Sequence, residues 1–228
     1  MRAEAAVVRQ PCLIIDLLGL AMRRRRAGYT GGMLRYAITG GQEIDAAEAC
    51  VAGARRWAEM GLEFVQLREK QMDAGEMVRV ATAMVAVFRE QGGRTKLLVN
   101  GRADVAVAAG ADGVHLRSQP GELTAEQVRR VFAAAGAGVP MVSVSCHTLE
   151  DVRRAAGGGV DLILFGPVFE KRVAGRVVVE GVGMEALRET CAVAGGVGVL
   201  ALGGVTEGNA GFCVEAGAAG VAGIRLFG

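Results

Sequence analysis

Polar side chains able to bind anions or move protons stand directly after short apolar runs at several points in this chain. Gln66, Arg68 and Lys70 alternate at the end of one run. In an extended segment residues two apart share a face, so an amide and two cations converge. That set suits a phosphate-bearing or electron-rich heterocyclic ligand. Asn100 and Arg102 follow the next run, where an asparagine can orient a ring or a phosphate, and Asp104 reads as the start of a helix. His147 closes the run Ser143-Val144-Ser145-Cys146. An imidazole with an ordinary pKa near ~6.5 suits proton transfer at neutral pH. Cys146 points to the opposite face of that strand, which argues against a Cys–His nucleophilic pair. The other histidine, His115, lies inside an apolar run and reads as core or rim. Glu170 is a second acid/base candidate, at the head of a long segment to about 182 that also holds Lys171, Arg172, Arg176 and Glu180. Gly203-Gly204 and Gly223-Ile224 offer backbone N–H groups for a phosphate. Each pattern alone also fits a solvated strand end, so the elements that position them decide.

Those elements alternate from residue 33 onward with a period of roughly 25–30 residues. Apolar β-type runs fall at 34–38, 63–67, 96–99, 113–116, 141–144, 161–165, 198–202 and 220–224. Short, nearly continuous apolar runs are what strands of a parallel sheet buried on both faces look like. Helical spacing fills 43–60, 74–91, 123–135, 149–156, 183–194 and 206–216. Thr124 with Gln127 makes a capping-box pattern, and Thr148 precedes the acidic pair Glu150-Asp151, which suits a helix N-terminus. The expected class is therefore α/β, a single (β/α)8 TIM barrel over 33–228, with function at the C-terminal ends of its strands. Every candidate above falls at such an end except His115, one residue short of it.

The chain as given stops just after the eighth strand, with no eighth helix. Residues 1–32 form an N-terminal extension with a plausible helix at 12–26. Two readings stand for it: a helix covering the face an eighth helix would shield, or a leader before a barrel that begins at Met33. A contact with a second copy of the chain, making a homodimer, is the alternative cover for that face.

Composition excludes several classes. Net charge is +2 and aromatic content 4%, so neither a nucleic-acid surface nor base-stacking platforms are expected. No run of 18 apolar residues occurs, and the short stretch 12–22 precedes its arginines, unlike a secretory signal. The five cysteines are odd in number and widely spaced, with no CxxC. A zinc site or a disulfide framework is not expected, and a reducing cytoplasm is the natural setting.

Over 33–227 the chain resembles the thiamin-phosphate synthase/TenI superfamily. The matching segments, in order, are QLREK at 66–70, ADGVHL at 111–116, SCHTLED at 145–151, FGPVFE at 165–170 and LGGV at 202–205. The synthase branch couples a pyrimidine diphosphate to a thiazole phosphate and, as the resemblance implies, holds Mg²⁺ on two aspartates. Here those places read Asn100-Gly101-Arg102 and Arg117-Ser118-Gln119-Pro120-Gly121, with no aspartate in either. The loop at 170–173 also lacks the threonine of that branch. Mg²⁺ needs carboxylate anchoring, so no metal and no cofactor are expected unless the synthase alternative holds. The variants Asn-Gly-Arg, Leu-Phe-Gly and Val-Phe-Glu resemble the TenI branch, associated with thiazole tautomerase activity, a proton shift in which a histidine matching His147 is the acid/base. The QLREK segment instead has the synthase form and implies retained pyrimidine or phosphate recognition. The expectation is a tautomerase-type isomerase acting on a small-molecule thiazole phosphate. His147 and Glu170 would do the chemistry, Gln66, Arg68, Lys70, Asn100 and Arg102 would bind the ring side, and Gly203, Gly204, Gly223 and Ile224 would hold the phosphate. A residual synthase with an atypical metal site and a non-catalytic ligand sensor remain the alternatives.

Overall fold

The computed structural model describes residues 32–40, 46–173 and 176–228, with the backbone alone for 171–173. The segment 12–26 and the rest of 1–31 lie outside the described residues. Eight parallel strands close into a barrel: β1 (Leu34–Ile38), β2 (Phe64–Leu67), β3 (Lys96–Asn100), β4 (Gly113–Arg117), β5 (Met141–Cys146), β6 (Leu162–Phe165), β9 (Gly198–Leu202) and β10 (Gly220–Gly223). Each strand pairs with its neighbour in the chain, and β1 pairs with β10 to close the ring. Parallel strands need crossovers, and helices supply them: α1 (Ala46–Glu59), α2 (Ala74–Glu90), α3 (Ala103–Ala109), α4 (Ala125–Ala134), α5 (Leu149–Gly157), α6 (Gly183–Val193) and α7 (Glu207–Glu215). Among the described residues no helix follows β10, and none is long and apolar enough to cross a membrane.

Side-chain alternation along the strands builds two cores. Val65, Leu67, Leu97, Val99, Val114, Val142, Val144, Ile163 and Val199 point outward under the helices. Leu34, Tyr36, Ile38, Phe64, Leu98, Leu162, Leu164, Leu200 and Ala222 fill the barrel. Two strand-start glycines have no room for a side chain: a Cβ on Gly113 would lie 1.9 Å from the Met141 carbonyl oxygen, and one on Gly220 2.0 Å from that of Leu34. The helix starts follow local chemistry. Asp73 accepts the Glu76 N–H at 2.8 Å, and the Thr124/Gln127 and Thr148/Asp151 pairs both form capping boxes.

Two features differ from, or add to, the sequence expectation. The segment between β6 and α6 is not a plain loop but carries an antiparallel pair, β7 (Lys171–Val173) with β8 (Arg176–Val179). The β-branched run Val177-Val178-Val179 favours that pairing, and its exposed position keeps it separate from the barrel. At the other end, the Trp57 indole on α1 donates to the Phe227 carbonyl oxygen at 2.9 Å, and Leu226 and Phe227 pack against the outer core.

Trp57 is the only tryptophan, so it reports on this contact. Removing residues 226–228 is expected to shift its emission to longer wavelength and to lower the melting temperature. An unchanged spectrum would show that the last residues do not seal α1.

Candidate functional site

The lower half of the barrel interior is apolar and the upper half is not. Tyr36, Gln66, His115 and Ser143 are buried there, each placed inward by strand alternation. His115 Nδ1 and Ser143 Oγ are 2.8 Å apart, Ser143 Oγ and the Tyr36 hydroxyl 3.1 Å, and His115 Nε2 and Ser145 Oγ 2.8 Å. The β4/β5 register that sets His115 opposite Ser143, and Arg117 opposite Ser145, makes these contacts. Burial, with the Arg68 charge nearby, pushes the His115 pKa down to about 3, so this imidazole is neutral. Burial also drives the Tyr36 phenol far above its ordinary value, against the smaller effect of its bond to Ser143.

On the neighbouring strands β2 and β3 Gln66 Nε2 donates to Asn100 Oδ1 at 2.9 Å, which unites two of the sequence candidates beside His115, the register partner of Asn100. Gln66 Oε1 is buried without a partner. A buried carbonyl oxygen left bare is costly, so this atom is set to accept an N–H from a ligand or a water. Arg68 lies just above, where its N–H donates to Thr39 Oγ1 at 2.8 Å and its guanidinium rests against Gly40. Lys70 is exposed beyond the strand. Arg102 is held sideways by the carboxylate of Asp104, with Nε–Oδ1 at 2.8 Å and Nη2–Oδ2 at 2.6 Å, so its guanidinium is engaged on the surface rather than joined to Gln66 and Asn100.

His147 stands at the rim after β5. Its Nδ1 is 2.6 Å from the Gly166 carbonyl oxygen, which can only accept. Nδ1 therefore carries a proton, and in the neutral ring the lone pair is on Nε2. The backbone N–H of His147 donates to Asp151 at 3.2 Å. Burial would raise the Asp151 carboxyl, but bonds from Ser118, Thr148 and two backbone N–H groups outweigh it and hold the pKa low. Cys146 faces the outer core, its thiol pushed up to about 12 chiefly by burial.

The β6 loop and the Gly203-Gly204 turn pack on each other. Val168 and Phe169 N–H groups donate to the Leu202 and Gly203 carbonyls at 2.8 and 3.0 Å. A Cβ on Gly203 would lie 2.6 Å from Pro167 Cα, and one on Gly204 2.6 Å from Phe169 Cβ. The glycine pair is thus required by this close approach, whatever else its N–H groups bind. Glu170 is exposed on the same loop. Gly223 ends β10, with Leu226 against it, and the exposed Ile224 follows.

The residues present do not fit a magnesium site. Gly101 sits at φ +64 with open space where a side chain would point, but it supplies no donor. After β4 the nearest carboxylate in the chain is Glu122, bound to Arg117 Nε at 3.0 Å and to the Leu123 N–H at 3.2 Å. Among the described residues no group of three or more histidine, cysteine or carboxylate side chains is placed to hold a metal.

The buried chain of Tyr36, Ser143, His115 and Ser145 was not among the sequence candidates. The usable signal was the inward phase shared by residues 143 and 145 with His115 on the adjacent strand.

Comparisons with known proteins agree with this fold. A family model described as thiamine monophosphate synthase matches residues 35–227. A thiamine-phosphate synthase of Thermus thermophilus is 35% identical over 176 residues, covering 77% of this chain and 76% of that protein. One from Roseiflexus castenholzii is 36% identical over 165 residues, covering 71% and 67%. Among solved structures, a thiamine phosphate pyrophosphorylase from Pyrococcus furiosus superposes with a TM-score of 0.67 at 27% identity, covering 84% of this chain and 85% of that one.

The neutral, buried His115 makes stability depend on pH. Its folded pKa of about 3 lies below its unfolded value, so the unfolded chain binds the extra proton. The contribution is complete above ~6.5 and is lost as pH falls toward 3. From pH 7 to pH 5 the unfolding free energy is expected to drop by about 2 kcal/mol from this group. His115→Gln should flatten that slope in urea titrations, and an equal slope in both proteins would contradict the assignment.

Proposed function

The chain belongs to the thiamine monophosphate synthase family, and from that premise we propose that it is an enzyme of thiamin biosynthesis that moves a proton on a thiazole phosphate without a metal. The observation that carries this reading is His147: Nδ1–H fixed on the Gly166 carbonyl, Nε2 left as a base at the rim. Nε2 would take a proton from one carbon of a non-aromatic thiazole tautomer and return it at another. Charge and electron count are unchanged, and the gain is aromaticity. A proton shift needs a positioned base with a pKa near the working pH; it needs no charge neutralisation for a departing diphosphate. The absence of a carboxylate set at Gly101 and at 117–121 fits that demand. Gln66, Asn100 and Arg68 would hold the ring side, Lys70 would add positive charge at the mouth, and the Gly203-Gly204 and Gly223-Ile224 backbone would take the phosphate. Glu170 would be the second acid/base group.

A second reading, synthase coupling of a pyrimidine diphosphate to a thiazole phosphate, is favoured by the names of the relatives, which are thiamine-phosphate synthases. One atom of the site also favours it. The bare Gln66 Oε1 wants an N–H donor, which an aminopyrimidine has and a thiazole lacks.

The two are separable on purified protein. The first predicts isomerisation of the thiazole tautomer, followed by absorbance, that is unchanged by EDTA and falls about 100-fold or more in His147→Ala. Thiamin phosphate formed from the two synthase substrates with Mg²⁺, in the absence of isomerisation, would establish the second reading instead.

A further inference from the structure

Gln66, Arg68 and Lys70 share one face at the end of β2, so Glu69 points the other way, toward α1. It is buried there. Among the described residues its carboxylate takes one side-chain hydrogen bond, from Cys50 Sγ on α1 at 3.7 Å. Burying a carboxylate is costly, and packing alone would favour an apolar residue at this place, as at Leu67. Cys50 is buried as well. Burial first, and then the Glu69 charge, push its thiol up to about 12, against a side-chain bond from Thr39. The sulfur therefore keeps its proton and donates it to the carboxylate, which can only accept.

Thr39, also buried, links this pair to the site. Its N–H donates to the Gln66 carbonyl at 2.9 Å and so continues the β1–β2 ladder. A regular parallel ladder would next send the Arg68 N–H to the Thr39 carbonyl. That N–H goes instead to Thr39 Oγ1 at 2.8 Å. Gly40 turns the chain here at φ +132, where a Cβ would lie 3.2 Å from the Arg68 carbonyl oxygen. A side chain thus completes the ladder, and a hydroxyl, unlike a carbonyl, is free to rotate unless its proton is held. The Thr39 proton goes to Cys50 Sγ, and the Cys50 proton goes to Glu69. Every donor from Arg68 N–H onward then has an acceptor.

We propose that Cys50 and Glu69 are positioning residues which, acting through the Thr39 hydroxyl, fix the Arg68 backbone so that its guanidinium stands at the barrel mouth for an anionic ligand. That guanidinium rests against Gly40, and its charge reaches His115, so it lies on the inner side of the rim. Cys50 and Glu69 act from behind the strand, and no proton leaves the relay. The inference rests on the reading that Arg68 faces the ligand, and it holds for either of the two reactions.

In the Raman difference between wild type and Cys50→Ala, the Cys50 S–H stretch is expected at lower frequency than a free thiol, because its acceptor is charged. A free-thiol frequency overturns the relay. Amide hydrogen exchange reads the next link. Cys50→Ala is expected to speed exchange at Arg68 about tenfold with Val65 unchanged, and Cys50→Ser, which can donate to Glu69 and accept from Thr39, to restore protection. Equal exchange at Arg68 in Cys50→Ala and wild type overturns the proposal. Faster exchange throughout the barrel does so as well, since it would mark a merely structural residue. Calorimetric titration with inorganic phosphate reads the effect on binding. Cys50→Ala and Glu69→Leu should each weaken it about threefold, and Thr39→Val about tenfold. In an Arg68→Ala background the same substitutions should have no further effect, and an equal loss there would show that they act elsewhere than through Arg68. Phosphate affinity unchanged in Arg68→Ala itself would overturn the role at the mouth, whereas the exchange rates decide the relay independently. Should Thr39→Val fail to fold, the wild-type S–H band and the Cys50 variants still decide.

Discussion

A histidine removed from water must have both ring nitrogens satisfied, and much of the upper barrel is arranged around that demand. His115 is buried in the strand wall, and its two nitrogens are met by Ser143 and Ser145 from the next strand at the same distance, 2.8 Å. Slipping β4 against β5 by one residue would turn this whole set outward. The ladder cannot slip easily, because Gly113 lets the Met141 carbonyl come where a Cβ would stand. Tyr36 closes the arrangement from β1, packed on Phe64 with ring centroids 5.9 Å apart. Three strands are thereby tied by one set of polar contacts inside an otherwise apolar barrel.

Above that layer the groups divide by role. Gln66 and Asn100 form one amide pair with a single bare acceptor. His147 is turned by the Gly166 carbonyl and anchored through its backbone by Asp151, which also caps α5. One carboxylate thus sets a helix start and the place of the proposed base together. The glycines after β9 let the β6 loop lie against the turn, so the two loops form a single rim. Part of the positive charge carried by side chains at the mouth is neutralised locally, Arg102 by Asp104 and Arg117 by Glu122.

Much of this was legible before the fold was known. The eight barrel strands fall within a residue or two of the apolar runs, since strands buried on both faces have little freedom in composition. Capping at Thr124 and Thr148 was readable because a cap is local chemistry. The β7–β8 pair was not, since a run of valines beside charged residues looks the same in a loop and in an exposed hairpin. The engagement of Arg102 was also hidden: Asp104 was read as a helix start, and the alternation of polar residues did not say that the guanidinium would turn toward it. His115 read as core or rim, and its position inside an apolar run gave no hint that three hydroxyl groups would surround it.

The sequence by itself determined the architecture, the family and the list of groups available for chemistry, because strand periodicity, helix caps and ordered motifs are encoded in neighbouring residues. Only the tertiary structure decided which of those groups meet. Gln66 and Asn100 are 34 residues apart, Tyr36 and Ser143 107 apart, His147 and Gly166 19 apart. Their contacts come from barrel closure and strand register, which no local pattern specifies. The proton positions follow from those contacts, since a buried donor must find an acceptor and a carbonyl can only accept.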